Sequence, residues 1–195
     1  MPRSPTRKDE TRRRILEAAG RGFRAGGLDG TAVAEVMAAA GLTHGGFYAH
    51  FAGKAALVSA ALAAALAENR AAWLAGLDGL PPEDAYRRIV GRYLSRAHRD
   101  APATGCAMAA LGSELARRDE AARADFDAGF LETVRALEGH MPARHGLSRR
   151  EQALATAALA LGGLLLARMV ADGTLSDEIL LACRRAALTA LGPAA

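Results

Sequence analysis

Helical periodicity runs through almost the whole chain and constrains its fold more than any other feature. In the first segment Ile15, Ala19 and Phe23 recur at spacings of four, which places them on one face of a helix. Alanine, leucine, arginine and glutamate dominate the rest of the sequence, and these residues favour helix. No run alternates apolar and polar residues as a half-buried strand does. The sequence therefore predicts an all-α protein with about nine helices.

Glycines, prolines and capping residues predict where these helices begin and end. Gly26-Gly27 ends the first helix, and Thr31 and Thr43 are positioned to cap the next two. Ser148 and Glu151 fit a capping box at the start of a late helix. In chain order the predicted helices run up to residue 26 and then over 31–39, 43–49, 53–77, 82–99, 106–117, 120–140, 148–171 and 176–191.

The excess positive charge is confined to the first third of the chain. Residues 1–60 contain nine Lys or Arg and five Asp or Glu, which accounts for the whole net charge of +4. A surface that binds a polyanion has this charge distribution. A solvated basic tail has the same distribution, so charge alone leaves both interpretations open.

The composition favours a soluble, globular protein without a metal or cofactor. Hydrophobic residues make up 51% of the chain, which is enough for a sizeable core. Cys106 and Cys183 fit neither a disulfide framework nor the spacing of zinc ligands. The longest stretch without a charged residue or histidine, 152–167, is shorter than the roughly 20 residues of a membrane-spanning helix. No apolar run follows the charged N-terminus as it does in a signal peptide, so we expect a cytoplasmic protein with no membrane partner.

Two short helices on either side of Gly41 form the most specific motif in the sequence. Val33 and Val36 give the first of them a narrow apolar face, and residues from Thr43 to Tyr48 make the second. Such short helices bury little surface alone and need the neighbouring long helices as backing. A three-helix unit with a tight turn before its last helix is a helix-turn-helix, whose last helix enters the DNA major groove.

A set of spaced residues extends this motif from Arg14 to Val58. Its segments are Ile15-Leu16-Glu17-Ala18-Ala19, Phe23, Gly26-Gly27, Thr31, Ala40-Gly41-Leu42-Thr43, Gly46-Phe47-Tyr48-Ala49-His50-Phe51, Lys54 and Leu57. In these residues the chain resembles the DNA-binding domain of the TetR family of regulators. Met37 and Ala55 depart from the alanine and glutamate usual in that family, and neither lies on the expected DNA face. The resemblance implies a homodimer whose subunits each carry a variable C-terminal ligand domain.

Residues around the last helix of the motif are predicted to contact DNA. His44 begins this helix, where base edges are read, and Gly45 and Gly46 allow close approach of the backbone. Each glycine costs a helix about 1 kcal/mol relative to alanine, so two in succession suggest a site. Helix N-termini at Thr31 and Lys54 suit phosphates. The full predicted set is Thr31, Thr43, His44, Gly45, Gly46, Tyr48, His50 and Lys54.

Several side chains near this motif have alternative interpretations. Tyr48 also fits an ordinary half-buried tyrosine, and His50 fits a structural hydrogen-bonding residue. Phe47 and Phe51 are expected in the core of so small a domain. Basic residues near the N-terminus are expected to reach the DNA backbone or minor groove, namely Arg7, Lys8, Arg12 and Arg13.

The remainder of the chain is expected to bind a small molecule. The expected domains are a DNA-binding domain over 1–55 and a ligand-binding and dimerisation domain over 56–195. The resemblance implies the ligand site, and the apolar character of the helices favours a mostly hydrophobic effector. Candidate lining residues, for which core packing is the alternative, are Trp73, Tyr86, Tyr93, Cys106, Met108, Phe126, Phe130 and Met169.

Cys106 follows Gly105 at the start of a predicted helix. A helix N-terminus lowers the pKa of a thiol and makes it more reactive. This position therefore suggests a sensor of oxidants or electrophiles, and a small buried hydrophobic residue is the alternative.

The last two helices, about 148–171 and 176–191, are expected to form a homodimer interface. The first of them is apolar on almost all faces and contains Gly162-Gly163, which permits close approach of helices. The second carries an apolar stripe of Ile179, Leu180, Cys183, Ala187 and Leu191. Burial inside the same chain is the alternative to a two-fold contact.

These features favour a ligand-responsive transcriptional regulator over an enzyme. We expect a repressor that binds a palindromic double-stranded DNA operator as a homodimer and is released by a small hydrophobic or reactive effector. The only nucleophile and base that suggest catalysis are Cys106 with His98 or His140. A helix-turn-helix protein that serves protein contact or architectural DNA binding, without a ligand, is a further alternative. An enclosed pocket between the fifth and seventh helices would distinguish the two, since a solid core there favours the protein without a ligand.

Overall fold

The computed structural model describes residues 6–142 and 146–189. Within these ranges every regular element is a helix, as the sequence predicts. There are nine α-helices and one 3₁₀ helix in the described residues. In chain order they are α1 (Arg7–Gly26), α2 (Val33–Ala39), the 3₁₀ helix (His44–Ala49), α3 (Lys54–Leu74), α4 (Pro82–Tyr93), α5 (Arg96–Arg99), α6 (Ala107–Leu115), α7 (Glu120–Glu138), α8 (Arg149–Met169) and α9 (Gly173–Thr189).

Capping explains most of the helix boundaries. α1 ends at Gly27, whose φ of 78° is readily available only to glycine, and this confirms the predicted end. α8 begins with the predicted capping box, in which the Ser148 hydroxyl accepts a hydrogen bond from the Glu151 N–H. α9 begins at Gly173, earlier than predicted, and its predicted end near Leu191 lies outside the described residues.

The predicted N-cap of α2 is wrong by one residue. Ala32 occupies the cap position, and its N–H donates to the Glu35 carboxylate at 3.0 Å. Thr31 instead donates its hydroxyl to the Gly27 carbonyl at 2.9 Å. A carboxylate one turn into the helix has therefore replaced the hydroxyl as the capping group.

The helix predicted over 82–99 is two helices. α4 stops at Tyr93, and Ser95 caps α5 by accepting a hydrogen bond from the His98 N–H at 3.1 Å. Arg184 of α9 donates to the Leu94 carbonyl at 2.6 Å, so the exposed end of α4 is satisfied from outside. The break turns the chain before α6.

A small core holds the N-terminal helices together. Ile15, Phe23, Met37, Phe47 and Leu57 are all almost completely buried, and they come from α1, α2, the 3₁₀ helix and α3. α2 and the 3₁₀ helix are too short to be stable separately, so burial against α1 and α3 fixes the angle at which the 3₁₀ helix projects.

α3 belongs to both halves of the molecule. It packs against α1 on one side and against α7 on the other. The expected domain boundary at residue 55 falls in the first turn of this helix. A movement of α7 or α6 relative to α3 therefore acts directly on the helix that supports the N-terminal unit.

α8 is the central helix of the C-terminal half. Its 21 residues make it long and apolar enough to span a membrane by length and composition, which the charge-free stretch alone did not indicate. It packs along α9, α7 and α6, and it is charged at both ends. A Cβ at Gly163 would lie 2.7 Å from the Cys183 Sγ, so this glycine allows α8 and α9 to approach closely.

Candidate nucleic-acid interface

The turn between α2 and the 3₁₀ helix is fixed by glycine and by α1. Gly41 has φ 68°, which confirms its predicted role in the tight turn. The Leu42 N–H donates to the Met37 carbonyl at 2.9 Å, and the Arg14 guanidinium donates to the Ala40 carbonyl. The turn is thus held from both the preceding helix and α1, which sets the direction of the helix that follows.

Thr43 stands at the N-cap of the 3₁₀ helix, as predicted, but its hydroxyl caps nothing. The Gly46 N–H donates to the Thr43 backbone carbonyl at 3.1 Å instead. The Thr43 side chain is exposed and makes no hydrogen bond within the described residues. Its hydroxyl is therefore available to a group outside the chain.

One face of the 3₁₀ helix is open to solvent. His44, Gly45, Gly46 and Tyr48 are exposed, whereas Phe47 between them is buried. Tyr48 is 70% exposed, which excludes the half-buried tyrosine that was its alternative interpretation. The rings of His44 and Tyr48 meet edge to face with 6.4 Å between their centroids, so both side chains lie on the same exposed surface.

Neither Gly45 nor Gly46 is required by the fold of the chain. Both have ordinary backbone angles, since neither is among the glycines with positive φ. A Cβ at Gly45 would meet nothing within 4 Å, and one at Gly46 would meet only the Met37 Cε at 3.8 Å. Two helix-weakening residues with no internal reason point to a requirement imposed by a surface outside the chain.

His50 and Arg12 join the end of the 3₁₀ helix to α1. The Arg12 guanidinium donates to the His50 carbonyl at 3.1 Å and lies 4.4 Å from the centroid of the Phe51 ring. His50 Nδ1 is buried without a hydrogen-bond partner in the described residues. Phe47 and Phe51 stack in the core, as predicted.

The basic residues near the N-terminus that are expected to reach DNA lie in the first two turns of α1. Arg7 and Lys8 occupy the exposed first turn of this helix. Arg13 forms an ion pair with Glu17, and the Arg12 guanidinium donates to the His50 carbonyl. These residues therefore present charge from a rigid helix.

Lys54 and Thr31 differ in their availability. Lys54 is the first residue of α3, and its ammonium donates to the Asp29 carbonyl at 3.2 Å. α3 has no side-chain cap, so its first N–H groups remain available beside Lys54. Thr31 is only 6% exposed and its hydroxyl is already used. Thr31 is therefore removed from the predicted DNA-contacting set.

Most of the predicted ligand-lining residues are core residues. Tyr86 is buried and its hydroxyl lies 3.0 Å from the Thr156 Oγ1. Trp73 packs edge to face against Tyr93 with 4.8 Å between ring centroids, and Phe126 stacks on Phe130 at 5.8 Å. Five cavities among the described residues are lined by other side chains, and not by these five residues, by Cys106 or by Met108. Met169, the eighth candidate, is 70% exposed and lies on the surface.

Cys106 is buried, and the expected reactive thiol is not present. Its side chain has no solvent exposure, and burial raises the pKa of the thiol above its ordinary value. Burial thus outweighs the helix N-terminus that led to the opposite expectation. The alternative, a small buried hydrophobic residue, is the one that the structure supports.

His98 lies beside Cys106, but its ring hydrogen-bonds to backbone groups and not to the thiol. Its Nε2 accepts a hydrogen bond from the Cys106 N–H at 2.9 Å, and its Nδ1 lies 2.8 Å from the Tyr93 carbonyl, to which it donates. Both ring nitrogens are used, which fixes a neutral tautomer. Burial lowers the pKa of His98. A pairing of His98 with the Cys106 thiol for catalysis is therefore not formed.

A joint between the first unit and α6 was not apparent in the sequence. The Leu28 N–H donates to the Glu114 carboxylate at 2.8 Å, and Arg118 pairs with Asp29 at 2.6 Å. Arg24 donates to the Ala103 carbonyl at 2.7 Å. The partners are separated by about 80 to 90 residues, so no local pattern reveals them.

No group of three or more His, Cys, Asp or Glu suited to a metal occurs in the described residues.

In the described residues, an exposed helix-turn-helix precedes a larger helical unit, which is the architecture of helix-turn-helix transcriptional regulators. The family model described as bacterial regulatory proteins, tetR family, matches residues 15–61. The N-terminal unit is therefore similar to the DNA-binding domains of this family.

Solved structures share this architecture over nearly the whole chain. NemR from E. coli in its reduced form is 22% identical with a TM-score of 0.77, and 95% of this chain and 99% of that chain are covered. A TetR-family regulator from Cytophaga hutchinsonii is 22% identical with a TM-score of 0.77, covering 96% and 98%. A TetR regulator from Chloroflexus aurantiacus is 25% identical with a TM-score of 0.72, covering 91% and 93%. No curated protein sequence matches the chain significantly.

Proposed function

We propose that the protein is a homodimeric repressor that binds a palindromic DNA operator and is released from it by a small effector. The exposed face of the 3₁₀ helix carries this proposal. Thr43, His44, Gly45, Gly46 and Tyr48 form a continuous outward surface over a buried Phe47. A surface with two glycines that the fold does not need fits the floor of a major groove.

The proposed contacts have separate roles. Gly45 and Gly46 bring the backbone close to the DNA, and His44 reads base edges. The Tyr48 phenol and the Lys54 ammonium bind phosphates on either side of the groove, the latter together with the N-terminus of α3. Few side chains then read bases, so specificity depends largely on DNA shape and backbone contacts.

Exposed leucines on α8 and α9 support the proposed dimer. Large apolar side chains exposed on these two helices are Leu154, Leu165, Leu166, Met169, Leu175 and Leu181. Gly162 faces open space, which would permit a partner helix to approach. Apolar surface of this kind marks a protein interface.

Two of the predicted stripe residues, Leu180 and Ala187, are buried inside the chain and do not take part, and Leu191 lies outside the described residues.

A two-fold dimer would present two 3₁₀ helices to DNA. Such helices must lie about 34–36 Å apart to enter successive major grooves on one side of the duplex. An effector that binds one spacing better than another shifts the equilibrium between the bound and released forms. A regulator of this kind acts in the cytoplasm, where we place this protein.

The packed aromatic cluster around Tyr93 affects only the effector part of the proposal. Trp73, Tyr93 and His98 contact one another there, in the region where a ligand was expected. This favours either a regulator without an effector or a regulator whose effector binds elsewhere.

Selection of bound duplexes from a random DNA pool tests the proposed function. We expect a two-fold palindrome to emerge, because the two identical helix-turn-helix units of a dimer select two identical half-sites. The Tyr48→Ala protein is the matched control, since Tyr48 is exposed and its loss leaves the core unchanged. Enrichment of no sequence, or an affinity of the Tyr48→Ala protein for the selected palindrome equal to that of the unmodified protein, would contradict the proposal.

A further inference from the structure

A cavity at the junction between the N-terminal unit and the C-terminal helices stands apart from the expected ligand region. Its volume is about 490 Å³. Asp29 and the first turns of α3 form one wall, and the end of α6 with the start of α7 forms the other. The volume falls within the range of small-molecule sites.

The floor of this junction cavity is apolar. Val58 and Leu62 of α3 and Leu115 of α6 lie at its base. Alanines around the wall keep the space open, because none has a side chain beyond Cβ, and they are Ala55, Ala56, Ala121 and Ala122. A ligand that fills this space therefore needs a compact apolar body.

The charged groups at the rim are unequally satisfied. Arg118 pairs with Asp29 at 2.6 Å, and Lys54 donates to the Asp29 carbonyl at 3.2 Å, so both rim cations are turned to the same loop. Asp119 accepts a hydrogen bond from the Ala122 N–H at 2.9 Å as the N-cap of α7. Asp125 accepts only the Ser59 hydroxyl at 2.5 Å, and no cation among the described residues pairs with it.

We infer that this cavity binds a small lipophilic amine, whose ammonium pairs with Asp125 and whose apolar part covers Val58, Leu62 and Leu115. The rim carries three carboxylates against two cations, so a cation is the ligand charge that it favours. An ammonium would give Asp125 a cationic partner, which it lacks among the described residues. An anion would have to compete with Asp29 for the two cations already engaged there.

The position of the cavity connects ligand binding to DNA binding. Lys54 and Asp29 belong to the N-terminal unit, whereas Arg118 and Asp125 belong to the C-terminal helices. A bound amine would fix the distance between α3 and α7 and would alter the Asp29–Arg118 pair. This inference rests on the proposed function in one respect, that the amine acts as an effector of DNA release.

Calorimetric titration of the full chain in the absence of DNA tests the site. The probe is tryptamine, with tryptophol as the neutral counterpart of the same shape and indolepropionate as the anionic one. We expect tryptamine to bind about ten-fold more tightly than either, because only its ammonium can form an ion pair with the Asp125 carboxylate. Equal affinity for tryptamine and tryptophol, or no measurable binding of tryptamine, overturns the inference.

Substitutions on α7 test the role of Asp125. Asp125→Asn is expected to weaken tryptamine binding about ten-fold and to leave tryptophol binding unchanged. Asp127→Asn, which removes an exposed carboxylate on the same helix outside the cavity, is the matched control. Equal loss in both variants overturns the inference. The comparison of three probes on the unmodified protein stands even if a variant fails to fold.

A separate titration of labelled operator distinguishes the site from the proposed function. If tryptamine binds through Asp125 but no specific operator exists, the site stands and the proposed function fails. If a specific operator exists but tryptamine does not bind, the proposed function stands and the site fails.

Discussion

Two adjacent glycines carry more information about function than any other residues in the chain. Gly45 and Gly46 weaken a short helix, and the fold supplies no compensating contact and no unusual backbone angle for either. Elsewhere glycine is required locally, as at Gly41 with its φ of 68°. The contrast separates a glycine that the chain needs from one that its partner needs.

Gly45→Ala therefore separates folding from DNA binding. Its added methyl group points into open space, so we expect the free energy of unfolding to be unchanged or raised by up to about 1 kcal/mol. Operator affinity should fall about ten-fold, because the methyl group holds the backbone away from the groove. Chemical denaturation and fluorescence anisotropy measure the two quantities.

Gly91→Ala is the matched control for this prediction. Gly91 lies in α4, and a Cβ there also meets nothing within 4 Å. It should affect neither folding nor operator binding adversely. If Gly45→Ala bound the operator as tightly as the unmodified protein, close approach of the backbone at Gly45 would be refuted.

His98 makes the stability of the protein depend on pH. Its folded-state pKa is lowered below the ordinary value of 6.5, chiefly by burial. Above pH 6.5 the His98 imidazole is neutral in both the folded and the unfolded protein, and its contribution to the free energy of unfolding is then complete. As the pH falls below about 6.5 the unfolded state takes up a proton that the folded state resists, so stability is lost until the lower folded-state pKa is reached.

His98→Gln is expected to flatten this dependence. At neutral pH the variant should be less stable by about 1–3 kcal/mol, because two buried hydrogen bonds to Tyr93 and Cys106 are disturbed. Between neutral pH and mildly acid pH it should lose less stability than the unmodified protein. Urea denaturation over that range measures both effects. His140→Gln is the control, and an equal flattening by it would assign the pH dependence to another cause.

At the level of single residues the sequence was informative only where the controlling interaction is local. Gly41 was predictable because a turn of two residues requires its backbone angle. Thr31 was assigned to the wrong role because Glu35 competes for the same helix end. The burial of the Cys106 thiol is not predictable in this way, because its surroundings include Tyr93 of α4 and Arg168 of α8, which no nearby residue indicates.

At the level of elements, the helices were predictable because each has its own periodicity and caps. The exception is the break between α4 and α5, where Ser95 caps a single turn and Arg184 closes the preceding end from α9. The exposed side of α8 and α9 was only partly predictable. Periodicity identified both helices as buried, but it did not distinguish the face buried in the chain from the face left open.

The open face of α8 predicts the consequence of adding charge there. Leu166→Glu combined with Met169→Glu should weaken dimerisation at least about ten-fold, because two carboxylates would enter an apolar contact. Sedimentation analysis measures the loss, and operator affinity should fall with it. Ala67→Glu on the exposed side of α3 is the control for added charge. A dimer unaffected by the double substitution would place the interface elsewhere.

At the level of the whole molecule, the important feature is the joint between α6 and the loop after α1. Glu114 accepts the Leu28 N–H, and a Cβ at Gly27 would lie 2.9 Å from its carboxylate, so the joint is close-packed as well as hydrogen-bonded. Arg118 and Asp29 extend it toward the junction cavity. Any movement of α6 is thereby transmitted to the N-terminal unit.

Glu114→Ala tests whether this joint orients the N-terminal unit. Without the carboxylate the Leu28 amide loses its partner, and its hydrogen exchange should accelerate about ten-fold. Operator affinity should fall as well, because the distance between the two 3₁₀ helices of the dimer becomes less defined. Ser113→Ala, at an exposed neighbouring position on α6, is the control. Unchanged exchange at Leu28 would show that the joint contributes no rigidity.

The most direct test of the central claim is an anisotropy titration at fixed salt with two labelled duplexes, the selected palindrome and a scrambled duplex of the same length. We predict two protomers for each palindrome and an affinity at least about a thousand-fold higher than for the scrambled duplex. Lys54→Ala should lower the salt dependence by about one phosphate contact for each bound protomer on both duplexes. Equal affinity for the two duplexes would contradict the claim that this chain is a sequence-specific DNA-binding dimer.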